Sequence, residues 1–172
     1  MKITDIFETY VSPMSEIERT TLNKQRKEFM EQKINFPFGA IYSFILTKDL
    51  KQTRTYAIAA NGKMFKIKNL VERKGIYFGD ITSEEINIQG ITKISLIAKS
   101  IKIGDEISSP IQLDALPNGS VIETIIPELL RQDPSTEYTK INKQWKGSES
   151  SKKVPSRAFD SVMREYKIIW VK

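Results

Sequence analysis

Apolar residues change their spacing along this chain, and the change divides it. Up to residue 35 they recur at helical intervals, first Ile3, Ile6, Phe7, Tyr10 and Val11, then Met14, Ile17, Leu22, Phe29 and Met30. Ser12-Pro13 interrupts the run, because proline disfavours helical geometry in the residue before it. A second helix is predicted from there to about Gln32. It is capped either by Ser12 with Pro13 in its first turn or by Ser15 with Glu18 as a capping box. Its apolar stripe is patchy and its acids and bases are interleaved, which suits a surface helix lying on a core or a helix that meets a partner.

From Phe36 onward the spacing is that of strands. Residues 40–47 are rich in Ile, Tyr, Phe and Leu, and Thr55–Ala60 and Lys63–Lys68 flank Asn61-Gly62. That dipeptide is a strong hairpin signal, since both residues tolerate positive φ. Gly75–Phe78, Ile86–Ile88, Ile91–Ala98 and Ile101–Ile103 are predicted as further strands, and Ser109–Ala115 leads into a turn. Ser120–Ile126, Glu137–Trp145 and Tyr166–Val171 follow as strands, with helical turns expected at Glu128–Arg131 and Ala158–Glu165. The polar stretch Lys146–Arg157 is expected to be a mobile loop.

Across this pattern runs a spaced echo. Phe36-Pro37-Phe38-Gly39-Ala40-Ile41 returns 80 residues later as Leu116-Pro117-Asn118-Gly119-Ser120-Val121. Proline fixes φ before a turn, glycine supplies a φ that other residues resist, and the β-branched residue after it starts a strand. Such a period implies one supersecondary unit used twice. The expected fold is therefore α+β: a helical segment at 1–35 packed on two related antiparallel β units, 36–108 and 109–172.

Composition narrows the chemistry. The apolar runs fall far short of the roughly 20 residues that cross a membrane, and the N-terminus meets Asp5 with no apolar leader before it. A soluble, cytoplasmic protein is the expectation. The chain has no histidine and no cysteine, which removes imidazole proton shuttles, thiol nucleophiles and most zinc sites. Carboxylate-bound magnesium is the one common route left to an enzyme, and no cofactor or metal is expected. Asp80, Glu84, Glu85 and Lys93 form the single candidate constellation. Ile91, not an acid, stands two residues before Lys93, so the familiar acid-x-lysine strand of metal-dependent nucleases is missing, and these acids read as ordinary surface charge.

Charge is unevenly placed. Residues 36–80 carry eight bases against three acids and residues 135–172 nine against four, separated by a block with four bases and eight acids. In the first basic block, strand alternation puts Lys66 and Lys68, near Lys63, opposite Phe65 and Ile67. In the second, Tyr138, Lys140 and Lys146 share one face of a single strand with Trp145 opposite, and Lys143 lies between them. Lys152, Lys153 and Arg157 follow in the loop. Lysines along a strand displace counterions from a phosphate backbone, or they protect an exposed edge and keep the protein in solution.

The stretch Leu113-Asp114-Ala115-Leu116-Pro117-Asn118-Gly119-Ser120-Val121-Ile122, with a tryptophan-bearing strand at Trp145, resembles a short β unit found in small proteins of tailed bacteriophages. Pro127–Pro134 is inserted where that unit has a tight hairpin. The resemblance implies a phage-encoded protein acting in the cytoplasm of an infected bacterium, and it brings no catalytic residues with it. The expected function is that of a non-enzymatic early protein that binds a host complex such as RNA polymerase, or its DNA, and alters transcription. A magnesium-dependent nuclease or anti-restriction factor is the alternative, and a virion assembly component comes third.

Overall fold

The computed structural model describes residues 15–35, 38–49, 51–107, 109–125, 135–159 and 166–171. The helix expected at 3–11 and the helical turn at 128–131 lie outside them. Helix α1 (Glu16–Asn35) opens on the second of the two caps. The Ser15 N–H donates to Glu18 Oε2 at 2.8 Å and the Glu18 N–H to Ser15 Oγ at 3.2 Å, so two orphan amides of the first turn are satisfied reciprocally. Only Leu22 and Phe29 are buried along its described side chains.

Five strands make the first sheet: β1 (Phe38–Lys48), β2 (Lys51–Ala60), β3 (Lys63–Arg73), β4 (Ile76–Glu85) and β5 (Ile91–Ala98). Their order is β4-β3-β2-β1-β5, antiparallel throughout. Asn61 and Gly62 turn β2 into β3 at φ 52° and 73°, as the hairpin signal predicts. Ala40 to Phe44 are all buried, a run without alternation, because both faces of the sheet are covered. On one face Ala40, Tyr42, Phe44, Ala57, Ala59 and Met64 meet Phe29 of α1. The Phe29 ring stands edge-on to Tyr42 at 5.5 Å and to Phe44 at 5.3 Å. On the other face Ile41, Ile58, Ala60 and Ile67 meet Ile111 and Ala115 of α2 (Pro110–Ala115).

The second sheet comprises β6 (Val121–Thr124), β7 (Glu137–Ile141), β8 (Gln144–Gly147), β9 (Lys153–Pro155) and β10 (Tyr166–Trp170). It runs β9-β8-β7-β6-β10. Counted within its own sheet, each first strand lies between the second and the fifth, and the second to fourth continue as a meander. Ile122, Tyr138, Trp145, Phe159, Tyr166 and Ile168 form its core, closed by Leu113 of α2 and by Leu116 just after that helix. Helix α2 thus belongs to two cores at once. The connection between the sheets also joins the second one: the Gly104 N–H donates to Ile168 O at 2.7 Å, Ile168 N–H to Asp105 O at 3.0 Å and Ile107 N–H to Tyr166 O at 3.0 Å. These bonds cover the outer edge of β10.

Several elements depart from the sequence pattern. Ser109–Ala115 is not an extended lead-in but a helix of six residues, too short to show a period, started by Pro110 in its first turn. The stretch Glu137–Trp145 is a hairpin rather than one strand. Asn142 and Lys143 turn it at φ 48° and 64°, a conformation normally signalled by glycine. Residues 146–157 hold the end of β8 and all of β9, whose proline is tolerated because the strand is at an edge. Ile86–Ile88 and Ile101–Ile103 pair in no strand, while the strand begun near Gly75 continues to Glu85.

Gly79 of β4 is hemmed in by both β3 and α2: a Cβ there would lie 2.9 Å from Ile67 Cγ2 of β3 and 3.2 Å from both Ile111 Cδ1 of α2 and Lys68 O. Gly79→Ala is therefore expected to force Ile67 and the helix side chain Ile111 to shift and to cost about 1–3 kcal/mol. Exposed Ser83→Ala, four residues on, should change stability by no more than about 0.5 kcal/mol. Denaturant melts of the two variants check this, and equal midpoints would contradict the close approach.

Candidate functional site

Where the two sheets meet over α2 there is a groove of about 1150 Å³. Phe65, Phe78 and Asp80 line it from the first sheet, Ile111 and Asp114 from the helix, Lys143 from the β7–β8 turn and Arg157 from just after β9. The tip of the β7–β8 hairpin is tied to the Leu-Pro-Asn-Gly turn beside it. Asn118 Oδ1 accepts the Asn142 N–H at 3.0 Å, and Asn118 Nδ2 donates to Asn142 Oδ1 at 3.4 Å. Gly119, at φ 89°, donates its N–H to Lys140 O at 2.8 Å.

Beneath the groove lies the one basic residue that the structure buries among the candidates. Lys140 is 3% exposed, and its ammonium donates to Leu113 O at 2.9 Å, Asp114 O at 2.6 Å and Leu116 O at 2.6 Å. These are carbonyls at the C-terminal end of α2, where a cation meets both unsatisfied acceptors and the negative end of the helix dipole. Burial pulls the Lys140 ammonium down to about 8, against the opposing pull of Asp114 and with help from Lys143. Burial likewise raises Asp114, while the hydrogen bond from Ser156 and the charge of Lys140 hold it down. The wiring continues from Trp145 Nε1, which donates to Ser156 Oγ at 3.0 Å, and from Ser156 Oγ, which donates to Asp114 Oδ1. With three carbonyls around its ammonium, Lys140 is a helix cap and not a phosphate contact. The expectation of an exposed Lys140 opposite Trp145 fails because the Asn142-Lys143 turn resets the alternation, so that Lys140 and Trp145 are cross-strand partners facing the core.

The other candidate bases are spread over two regions. Lys63, Lys66 and Lys68 lie on β3, where Lys66 pairs with Glu84 at 3.5 Å and Lys68 stands opposite Asp80. Lys143 and Arg157 are exposed on the groove rim, and Lys152 is exposed just before β9. Lys146 and Lys153 are both exposed and directly opposed across β8 and β9. The structure thus gathers Lys143, Lys146, Lys152, Lys153 and Arg157 around the second hairpin and its edge, and leaves Lys66 and Lys68 of β3 beside acids and Lys63 opposite Ala60. Asp80, Glu84 and Glu85 make no metal-holding cluster, and among the described residues no three carboxylates do. The sequence pattern passed over Asn118, Asn142, Asp114 and Ser156. Asp114 and Asn118 are signalled only as the polar positions between apolar ones in the Leu-Asp-x-Leu-Pro-x-Gly stretch, and Asn142 and Ser156 lie outside it.

Comparison of the chain with protein-family models, curated proteins and solved structures gave no match.

Lys140→Met should leave the Asp114 and Leu116 carbonyls without this partner and destabilise the fold by about 2–4 kcal/mol. The pH profile gives a second signature. The folded chain sheds the Lys140 proton near pH 8, whereas an unfolded chain keeps it to roughly 10.4, so unfolding takes up a proton in that window. This group's contribution to stability should then rise with pH from 8 upward, and Lys140→Met should lose that rise. Chemical denaturation of both proteins at pH 7 and pH 9.5 measures it, and parallel pH profiles would refute the assignment.

Proposed function

We propose that this protein is a non-enzymatic nucleic-acid-binding protein, acting on DNA or on the transcription machinery of a host bacterium as the partial phage resemblance implies. We also propose that its two sheets are copies of one β unit. Support for the copies comes from their shared strand order and from hairpins that match when counted from the turn. Ala59 opposite Met64 in the first corresponds to Lys140 opposite Trp145 in the second. On this reading the second copy keeps the folding unit while its surface is free to take another task.

The observation that carries the binding function is the apposition of Lys146 and Lys153 on neighbouring strands. Like charges directly opposite one another destabilise a sheet by roughly 0.2–1 kcal/mol, and protecting an edge strand requires only one of them. A phosphate backbone turns the same pair into two favourable contacts, and Lys152 and Arg157 extend the positive field around it. No catalytic step is needed for such a role.

Binding should be steeply salt-dependent, with a log-log slope of about −0.7 to −0.9 for each phosphate neutralised. Reversing Lys146 and Lys153 together to glutamate should weaken binding and flatten that slope by roughly two contacts, with the melting temperature kept. Anisotropy of labelled oligonucleotides across a sodium chloride series tests this. Affinity indifferent to both salt and the double reversal would reduce these lysines to a solubilising edge and sink the proposal.

A further inference from the structure

Trp170 is the largest exposed apolar side chain among the described residues, 57% exposed, on a strand whose Tyr166 and Ile168 are buried. Simple alternation would send it inward with them. Instead the pairing slips between Ile168 and Trp170, and Trp170 stands opposite Val121. Val171 then returns to pack against the second core. The slip therefore puts Trp170 on the outer face of the second sheet with Val121, one residue out of phase with the strand before it.

That face carries an ordered row. Pairing in register gives Trp170, Val121, Thr139, Lys146 and Lys153, one residue from each strand in turn. At about 4.8 Å per strand the row spans roughly 19 Å. The corresponding positions of the first sheet are Ile41, Ile58 and Phe65, apolar and packed with Ile111 and Ala115 of α2. Where a helix covers the face it is hydrophobic. In the second sheet the same positions are Val121, Thr139 and Lys146, so this face is made for a polar or charged neighbour. The adjoining row is different in sign: Lys167 is paired with Glu123 at 3.6 Å, and Glu137 stands next to Glu123. An anionic chain is thereby confined to the first row, with its charge at the Lys146–Lys153 end and its apolar part toward Trp170.

We infer that the outer face of the second sheet is a platform for single-stranded DNA, on which Trp170 stacks against a base while Lys146 and Lys153 hold the phosphate backbone. The inference rests on the nucleic-acid reading above and deepens it. An aromatic ring on an open sheet reaches bases only when they are unpaired, because a duplex hides their faces in its own stack. Between the ring and the lysines, the methyl groups of Val121 and Thr139 suit deoxyribose and a thymine methyl better than a row of 2′-hydroxyls.

The chain has two tryptophans, and Trp145 is fully buried, so emission quenched by a bound base reports Trp170. Titrating the full chain with a dT oligomer of about twelve nucleotides should quench emission saturably and shield the exposed tryptophan from iodide. Trp170→Ala should weaken binding roughly 5- to 100-fold, and Trp170→Phe should restore most of it. The salt slope should flatten with Lys146→Glu and Lys153→Glu but not with Trp170→Ala. Iodide shielding in the unaltered chain keeps the test open should the alanine variant fail to fold. Binding that depends on the lysines but not on Trp170 would overturn the platform and leave the nucleic-acid reading standing. Equal affinity for a duplex of the same sequence, or preference for the matching RNA, would overturn the platform as well. No salt-dependent binding to any of the three would remove both readings.

Discussion

A single buried ammonium under the end of a six-residue helix ties this molecule together. Helix α2 is too short to stand by itself, since a nucleated helix needs roughly twice that length to be even marginal in water. It persists because every side of it is held. The Ser109 hydroxyl at its start accepts the Tyr77 N–H at 2.8 Å instead of capping the helix. Gln112 Nε2 donates to Gly39 O and Lys99 O, both at 2.9 Å. Lys140 takes up the carbonyls at the far end. Between these polar anchors, Ile111 and Ala115 enter the core of the first sheet while Leu113 and Leu116 enter that of the second.

This arrangement accounts for a difference between two sheets that share one strand order. In the first sheet Ala59, two residues before its hairpin turn, packs in the core with α1. In the second, Lys140, two residues before its own turn, lies against the short α2, and the long side chain reaches the carbonyls that a short helix exposes. Removing an ammonium from water is costly unless its hydrogen bonds are met, and here three acceptors and the nearby Asp114 meet them. Burial still leaves its mark in the lowered proton affinity of Lys140 and the raised one of Asp114. Perturbed groups in a cleft are often catalytic. Here the perturbation follows from burial of both groups at the end of α2.

Each sheet in turn illustrates what covers a β face. In the first, α1 and α2 enclose both sides, and β1 can be apolar without alternation. In the second, the core side is filled with edge-on aromatic rings, Phe159 lying 5.2 Å from both Tyr138 and Tyr166, while the other side carries threonine and lysine. The surroundings of each lysine therefore depend on which face and which partner strand it occupies. Lys66 sits beside Glu84 and Lys140 is locked inside, whereas Lys146 and Lys153 confront one another in the open.

Much of the fold was legible in the order of residues alone, because local signals act within a few positions. The Ser15–Glu18 cap, the Asn61-Gly62 turn, the long apolar β1 and the positive-φ glycines at 39 and 119 follow from propensity and spacing. So does the mixed class, although strands outweigh helix more than the pattern implies. The sequence also determined where bases are concentrated, but not which of them reach solvent. That was decided by tertiary structure at two slips of register. A glycine-free turn at Asn142-Lys143 carried Lys140 inward with Trp145, and a one-residue shift after Ile168 carried Trp170 outward. Strand side chains alternate with a period of two, so one unseen turn or bulge reverses every inference beyond it, and whether such a reversal occurs depends on pairing with a distant strand.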